Sequence, residues 1–167
     1  DLSAACRRSL SLVRAIMPPS IALETVLPPQ GPIISADANQ LQQVLTNLAT
    51  TAWEATTGGR GPIRLTLKLV PGMDIPASHR FPVDFQPCDQ AYACLEMADA
   101  GSGIPNKDIE NIFDPFFSSK FTGRGMGLAV ALGIVRGHDG AITVESQPGH
   151  GSIFRVFLPV SAEAALP

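Results

Sequence analysis

Charge is scarce in this chain. Only 16% of its 167 residues are Asp, Glu, Lys or Arg, and 12 basic against 15 acidic side chains leave a net −3 at neutral pH. That balance offers no basic footprint, so neither nucleic acid nor an anionic membrane surface is an expected partner. No apolar run is long enough to span a bilayer, and the start lacks the pattern of a signal peptide. Cysteine is limited to Cys6, Cys88 and Cys94. Three thiols, odd in number and far apart, give neither a disulfide framework nor metal-ligand spacing; free thiols in a reducing cytosol are the expectation. What remains is 45% hydrophobic residues, enough for one globular domain with a real core. The first residue is Asp1, so the chain is expected to be part of something longer.

The periodicity sets out an ordered series of elements. Leu2, Leu10, Val13, Ile16 and Met17 predict a helix over residues 1–17, stopped by Pro18-Pro19. Short strands are predicted at Ile21–Leu27 and Ile33-Ile34. Asp37, with Gln40 three positions on, reads as a capping box opening a helix from Ala38 to Ala55. Leu41, Val44, Leu45, Leu48, Ala52 and Ala55 fall on one face of that helix, bordered by Gln40, Gln43, Asn47, Thr51 and Glu54. Gly58-Gly59 ends it. Ile63, Leu65, Leu67 and Leu69 alternate with Arg64, Thr66 and Lys68 as a half-buried strand. Residues 71–90 hold four prolines and read as a surface loop. A strand over Ala91–Ala98 then delivers Asp99. A short helix near Lys107–Ile112, a helix from Leu128 to Arg136, and a hairpin of Ile142–Glu145 with Ser152–Leu158 complete the series. Strands and helices intermingle without βαβ regularity. The expected fold is a two-layer α/β sandwich: one mixed sheet of about five strands, mostly antiparallel, covered on one face by about three helices.

Two glycine-spaced segments carry chemistry. Asp99-Ala-Gly101-Ser-Gly103 places a carboxylate at a strand end with backbone free to approach a ligand. A carboxylate only accepts hydrogen bonds, which suits the exocyclic amine of adenine and rejects the carbonyl of guanine; an ordinary strand-to-helix turn is the plainer alternative. Gly123-Arg-Gly125-Met-Gly127 opens a helix, and free N–H groups there form an anion site. Its spacing is neither the dinucleotide fingerprint nor a P-loop, and a hinge is the alternative. Lys120 and Arg124 flank it, as phosphate contacts or as solvated charges. Phe113-Asp-Pro115-Phe116-Phe117 reads as a core anchor or as the clasp of a mobile cover. Asn47 and Thr51, four apart on one helix face, could hold hydrated Mg²⁺, with Glu54 on the same stripe.

In this order the segments resemble the catalytic and ATP-binding domain of bacterial sensor histidine kinases, of the ATPase superfamily shared with gyrase B, MutL and the ninety-kilodalton heat-shock chaperone. The helix from Asp37 through Asn47, Thr51 and Glu54 resembles the N box. Asp99–Gly103 resembles the G1 box, Phe113–Phe117 the F box and Gly123–Leu128 the G2 box. The likeness continues from Gly133 to Phe154 and covers about Asp1 to Pro159. It implies a Bergerat-type fold binding ATP and Mg²⁺, within a single catalytic unit over residues 1–167. The adenine would lie against Asp99, Gly101, Gly103 and Ile104. A lid over residues 104–125 would bring Phe117, Lys120, Gly123, Arg124, Gly125 and Met126 over the phosphates, with Gly127 and Leu128 opening the helix behind them. Asn47 and Glu54 would be catalytic, Asn47 and Thr51 the metal residues, and 160–167 a tail.

The resemblance also implies partners: a dimerisation and histidine phosphotransfer domain of the same protein, which supplies the acceptor histidine, and the receiver domain of a response regulator. The location implied is cytoplasmic, any membrane anchor belonging to the parent protein, and the fragment itself is expected to be monomeric. None of His79, His138 and His150 stands in a helical acceptor motif. Two departures stand out. Thr51 replaces the second asparagine of the family motif, a shorter and poorer metal ligand, so weaker Mg-ATP binding or a reliance on Asn47 and water is expected. Asp139 stands where glycine is common and is expected to be harmless. The alternatives are a degenerate nucleotide-binding or docking module without turnover, and a serine kinase of the anti-sigma type.

Overall fold

The computed structural model describes residues 1–16, 22–55, 62–101, 103–114 and 127–161; the side chains of Ile16, Glu54 and Ala55 are outside that description. The stop signals Pro18-Pro19 and Gly58-Gly59, most of the F box, and the tail from 162 onward therefore lie outside the described residues.

Among the described residues, three helices and six strands follow one another as α1 (Leu2–Ile16), β1 (Leu23–Val26), α2 (Ala38–Ala55), β2 (Ile63–Pro71), β3 (Arg80–Phe81), β4 (Ala91–Asp99), α3 (Gly127–Gly137), β5 (Ala141–Gln147) and β6 (Gly151–Pro159). The strands form one sheet in the order β1-β2-β4-β6-β5-β3. Among these described strands β1 and β2 run parallel and the other pairs are antiparallel. The sandwich of a mixed sheet under three helices is as expected, with one more strand than the sequence suggested. The short helix expected near Lys107–Ile112 is a single 3₁₀ turn at Ile109–Asn111. Ile33-Ile34 form no strand, although the Ile33 carbonyl accepts the Ser161 N–H.

Side-chain alternation puts Ile63, Leu65, Leu67, Ala93, Leu95, Met97, Ile142, Val144, Phe154 and Val156 on one face of the sheet. The apolar stripe of α2 packs there, with Leu41, Val44, Leu45, Leu48, Ala49 and Ala52 all buried. Leu2, Cys6, Leu10 and Val13 of α1 and Leu128, Ala131 and Val135 of α3 complete this core. The capping box forms in part. Asp37 Oδ1 accepts the Gln40 N–H at 3.0 Å. The Asp37 N–H donates to His138 Nε2 at 3.3 Å, and His138 Nδ1 bonds the Ile134 carbonyl at 2.8 Å. A ring nitrogen that accepts carries no proton, so Nδ1 is the protonated one. The imidazole thus pins the end of α3 to the start of α2, a long-range role that no local pattern announces.

The proline-rich segment is the main correction. Residues 71–90 are more than a surface loop: they contain a 3₁₀ turn at Gly72–Asp74 and strand β3, which pairs Arg80 with Thr143 and Phe81 with Ile142. Phe81 enters the main core and meets the Phe113 ring at a centroid distance of 4.7 Å. Ile75 packs on the opposite sheet face with Tyr92, Cys94 and Phe157, a second small core with Phe85 and Val70 at its border. Proline has no N–H for a ladder, so the sequence pattern hides a segment held by two anchoring side chains and a two-residue strand. Beyond this second core the outer face is polar. Glu96 accepts Arg155 Nε at 2.8 Å and lies 3.5 Å from Lys68 Nζ, while Arg155 Nη1 reaches Glu145 at 2.9 Å. Burial raises the Glu96 pKa, but Arg155 and then Lys68 outweigh it, and the net shift is downward.

Candidate nucleotide site

Asp99 closes β4 on the helix-covered face, in register with Ser152 of β6. It is 9% exposed. Burial raises its pKa above the ordinary carboxylate value, and the backbone N–H groups of Gly101 and Ser152 offset part of that rise. Gly101 N–H donates to Asp99 Oδ1 at 2.8 Å. A carboxylate offers about four lone-pair sites, so the anchored side chain keeps acceptor capacity for a ligand amine. The strand end is braced from its neighbours: Ser146 and Ser152 hydroxyls meet at 2.8 Å, and Ser146 Oγ accepts the Ile104 N–H at 2.7 Å. Neither serine was singled out by the sequence; the register of the β5–β6 hairpin is the signal that locates them. Gly103 has φ +74°, and a Cβ there would run into the Gln147 carbonyl, so the fold itself requires this glycine.

A second group lies on α2 and α3. Asn47 Nδ2 donates to the Gly127 carbonyl at 2.9 Å, and Asn47 Oδ1 accepts from Gln43 Nε2 at 3.0 Å. Thr51 is 7% exposed, and its hydroxyl donates to the Asn47 carbonyl at 2.9 Å. Leu128 is buried in the core behind them. The structure therefore brings Asn47 to Gly127, and Asp99 to Gly101, with Ile104 braced beside it, all on the helix-covered side of the sheet. Phe117, Lys120, Gly123, Arg124, Gly125, Met126 and the Glu54 side chain lie outside the described residues.

An acceptor carboxylate at a strand end and a helix start tied to an asparagine are features of a nucleotide hollow. The sequence matches the family model described as histidine kinase-, DNA gyrase B-, and HSP90-like ATPase over residues 36–162. The chain belongs to this ATPase family. It is 38% identical over 128 residues to the sensor kinase CckA of Brucella abortus (strain 2308), a match covering 75% of the chain and 13% of CckA. It is 33% identical over 164 residues to the sensor histidine kinase ZraS of Klebsiella oxytoca, covering 98% of the chain and 31% of ZraS. The chain thus spans a third or less of these relatives. Among solved structures it is similar to the mycobacterial sensor histidine kinase MprB, with TM-score 0.69, 25% identity, and coverage of 96% of this chain and 95% of that one. The catalytic domain of histidine kinase ThkA is similar with TM-score 0.67, 26% identity, and coverage of 98% and 95%. Among the described residues, the mixed sheet under three helices is the fold shared with these histidine kinase catalytic domains. Among the described residues, no helix is long and apolar enough to cross a membrane.

Proposed function

We propose that this chain is the ATP-binding catalytic unit of a two-component sensor histidine kinase, which passes the γ-phosphoryl group of ATP to a histidine on a separate dimerisation domain. The observation that carries the reading is Asp99: a carboxylate at a strand end, 9% exposed and held by a backbone N–H at 2.8 Å, aligned to accept from one ligand edge. The adenine amine would donate to it, with Gly101, Gly103 and Ile104 forming the turn beside the base. Residues 104–125 would cover the phosphates, bringing Phe117, Lys120, Gly123, Arg124, Gly125 and Met126 near them. Gly127 and Leu128 would begin the helix behind, and Glu54 would take a catalytic place on α2.

Magnesium suits one residue of this stripe better than the other. Asn47 presents an amide oxygen with a lone pair beyond its bond from Gln43. The Thr51 proton is engaged by its own helix and the side chain is nearly buried. Asn47 would therefore hold the cation, the remaining ligands being water and phosphate, as Mg²⁺ prefers. Bound there, the ion would neutralise charge on the transferring phosphoryl group; the chain's own contribution is positioning.

The wider assignment follows from the same reading: one catalytic unit over residues 1–167, part of a longer protein, acting on a phosphotransfer domain of that protein and through it on a receiver domain. A module that binds nucleotide without turnover is the second reading, favoured by the engaged Thr51 hydroxyl. Calorimetry with ATP tests the site, and a separately produced acceptor domain with Mg-ATP tests the chemistry. ATP binding with labelling of the acceptor histidine is expected. Binding without labelling selects the second reading, and no binding overturns both.

A further inference from the structure

The sheet face turned away from the helices carries a second cavity, of about 650 Å³, between the 72–90 segment and strands β4, β5 and β6. Ala98 and Ile153, cross-strand partners, form an apolar floor. Thr143, Glu145 and Arg155 stand along it, and the more exposed Ser78, His79 and His150 edge it. Asp99, Ser146 and Ser152 also line it, although strand alternation assigns their side chains to the helix-covered face.

One atom here is left without a partner. Thr143 is 2% exposed, and its Oγ1 is shielded from solvent with no hydrogen bond. Native structures rarely leave a buried hydroxyl so. The register places Thr143 directly between two arginines, Arg80 on β3 and Arg155 on β6. Arg155 is held through Nε and Nη1 by Glu96 and Glu145, and Arg80 Nη2 donates to the Phe85 carbonyl. A guanidinium has five N–H donors, so each keeps donors beyond these bonds. Hydroxyls, imidazoles and a guanidinium stand around the cavity, and the two carboxylates next to Arg155 on this face, Glu96 and Glu145, already accept from that arginine. Among the described residues, no group of three or more His, Cys, Asp or Glu side chains could hold a metal ion. The chemistry that fits a donor-rich hollow with an apolar floor is an oxyanion on a small carbon skeleton.

We propose that this outer-face cavity is a second ligand site. It takes a small phosphate- or carboxylate-bearing molecule whose oxyanion accepts from Thr143 and Arg155 while its carbon atoms lie on Ala98 and Ile153. The site is separate from the nucleotide hollow and stands whether or not ATP binds there.

The test is a titration of the chain with inorganic phosphate, acetate or chloride at matched ionic strength, with ADP present throughout, followed by backbone amide NMR. Saturable shifts at Thr143, Glu145 and Arg155 are expected with phosphate or acetate and not with chloride; the stronger of the two names the headgroup. Thr143→Val keeps the side-chain shape and removes the hydroxyl, and should weaken the anion about fivefold, with Thr143→Ser restoring it. Absence of a saturable shift with both oxyanions overturns the proposal, as does equal affinity in the valine variant. Should that variant fail to fold, Ala98→Glu puts a negative charge on the floor and must abolish the shifts; shifts that survive it overturn the proposal equally.

Discussion

Asn47 and Gly127 are joined across the fold: the Asn47 amide nitrogen donates to the Gly127 carbonyl at 2.9 Å, tying the middle of α2 to the first residue of α3. The glycine is not there for lack of room. A Cβ at Gly127 would meet Asn47 no closer than 3.8 Å, and its φ is not left-handed. A glycine that the fold tolerates losing points to close approach by something bound. Gly127→Ala should keep or slightly raise the thermal midpoint, alanine being favoured over glycine by up to ~1 kcal/mol in helices. Its ATP affinity should fall by about tenfold or more. Asn47→Ala, in contrast, should lower stability by ~1–2 kcal/mol as well, since the Gly127 carbonyl loses that donor. Calorimetry and thermal melts on both variants separate the two effects.

Asp99 trades stability for an acceptor. Burial raises its pKa, so the native state holds this proton to a higher pH than the unfolded chain does. Between the ordinary value and the raised one the native state binds more protons, and stability falls as pH rises through that window. Asp99→Asn removes the ionised group and should raise the thermal midpoint at pH 7. It should also weaken ATP about tenfold or more, because a neutral amide replaces the charged acceptor. For the native chain, ATP affinity should decline as pH is lowered through the raised pKa of Asp99, where the carboxylate becomes a carboxylic acid. An affinity flat with pH across that range argues against a bond from adenine to this side chain.

The sequence was most legible where one period ran long. The α2 helix, with six apolar positions on one face, has the bounds its pattern predicts, Ala38–Ala55. The alternating strands β2 and β4 and the closing hairpin were equally readable, and Asp99 stands at the strand end foreseen for it. The 71–90 segment was not readable, because its order comes from Ile75 and Phe81 docking on opposite faces of a sheet assembled from distant strands. Prolines there mask a two-residue strand too short to show a period. Ser146 and Ser152 in the site, and His138 between α3 and the start of α2, act through contacts made only after folding, so nothing local marks them.

Asp139 is less innocent than the sequence suggested. Its backbone has φ +62°, in the turn after α3, where the Asp139 N–H bonds the Arg136 carbonyl. Aspartate tolerates this region better than most side chains, but glycine enters it without the Cβ penalty. Asp139→Gly should therefore stabilise the chain by ~0.5–1 kcal/mol, visible as a higher denaturation midpoint with an unchanged slope. A lower midpoint means that the aspartate makes a compensating bond.

The thiols should sort by burial. Burial pushes Cys6 up to about 12 and Cys94 up to about 11, while Cys88 is exposed. The thiolate is the reactive form. An aromatic disulfide reagent at pH 7.5 should titrate one thiol per native chain and all three once the chain is unfolded. Rapid reaction of a second thiol in the native protein means that the core around α1 or the second core opens.

On the proposed reading, Thr51 sets how strongly the site depends on metal. Its hydroxyl donates to the Asn47 carbonyl one turn back at 2.9 Å, and the side chain is 7% exposed. A threonine bonded this way keeps its oxygen lone pairs, but on a short, nearly buried arm. Asparagine at the same place carries a carbonyl oxygen further from the helix and gives up that backbone bond. The volumes are close, so Thr51→Asn should shift stability by no more than ~1 kcal/mol. Its effect should fall on the metal. The native chain is expected to bind ATP with nearly the same affinity in Mg²⁺ and in EDTA, because Asn47 alone adds little to a cation already held by phosphate and water. In the asparagine variant the two affinities should separate, Mg-ATP becoming several-fold tighter while metal-free ATP stays where it was. Paired titrations of both proteins, with and without Mg²⁺, read this directly. If all four affinities coincide, position 51 does not reach the cation even as asparagine, and neither it nor Asn47 distinguishes Mg-ATP from free ATP.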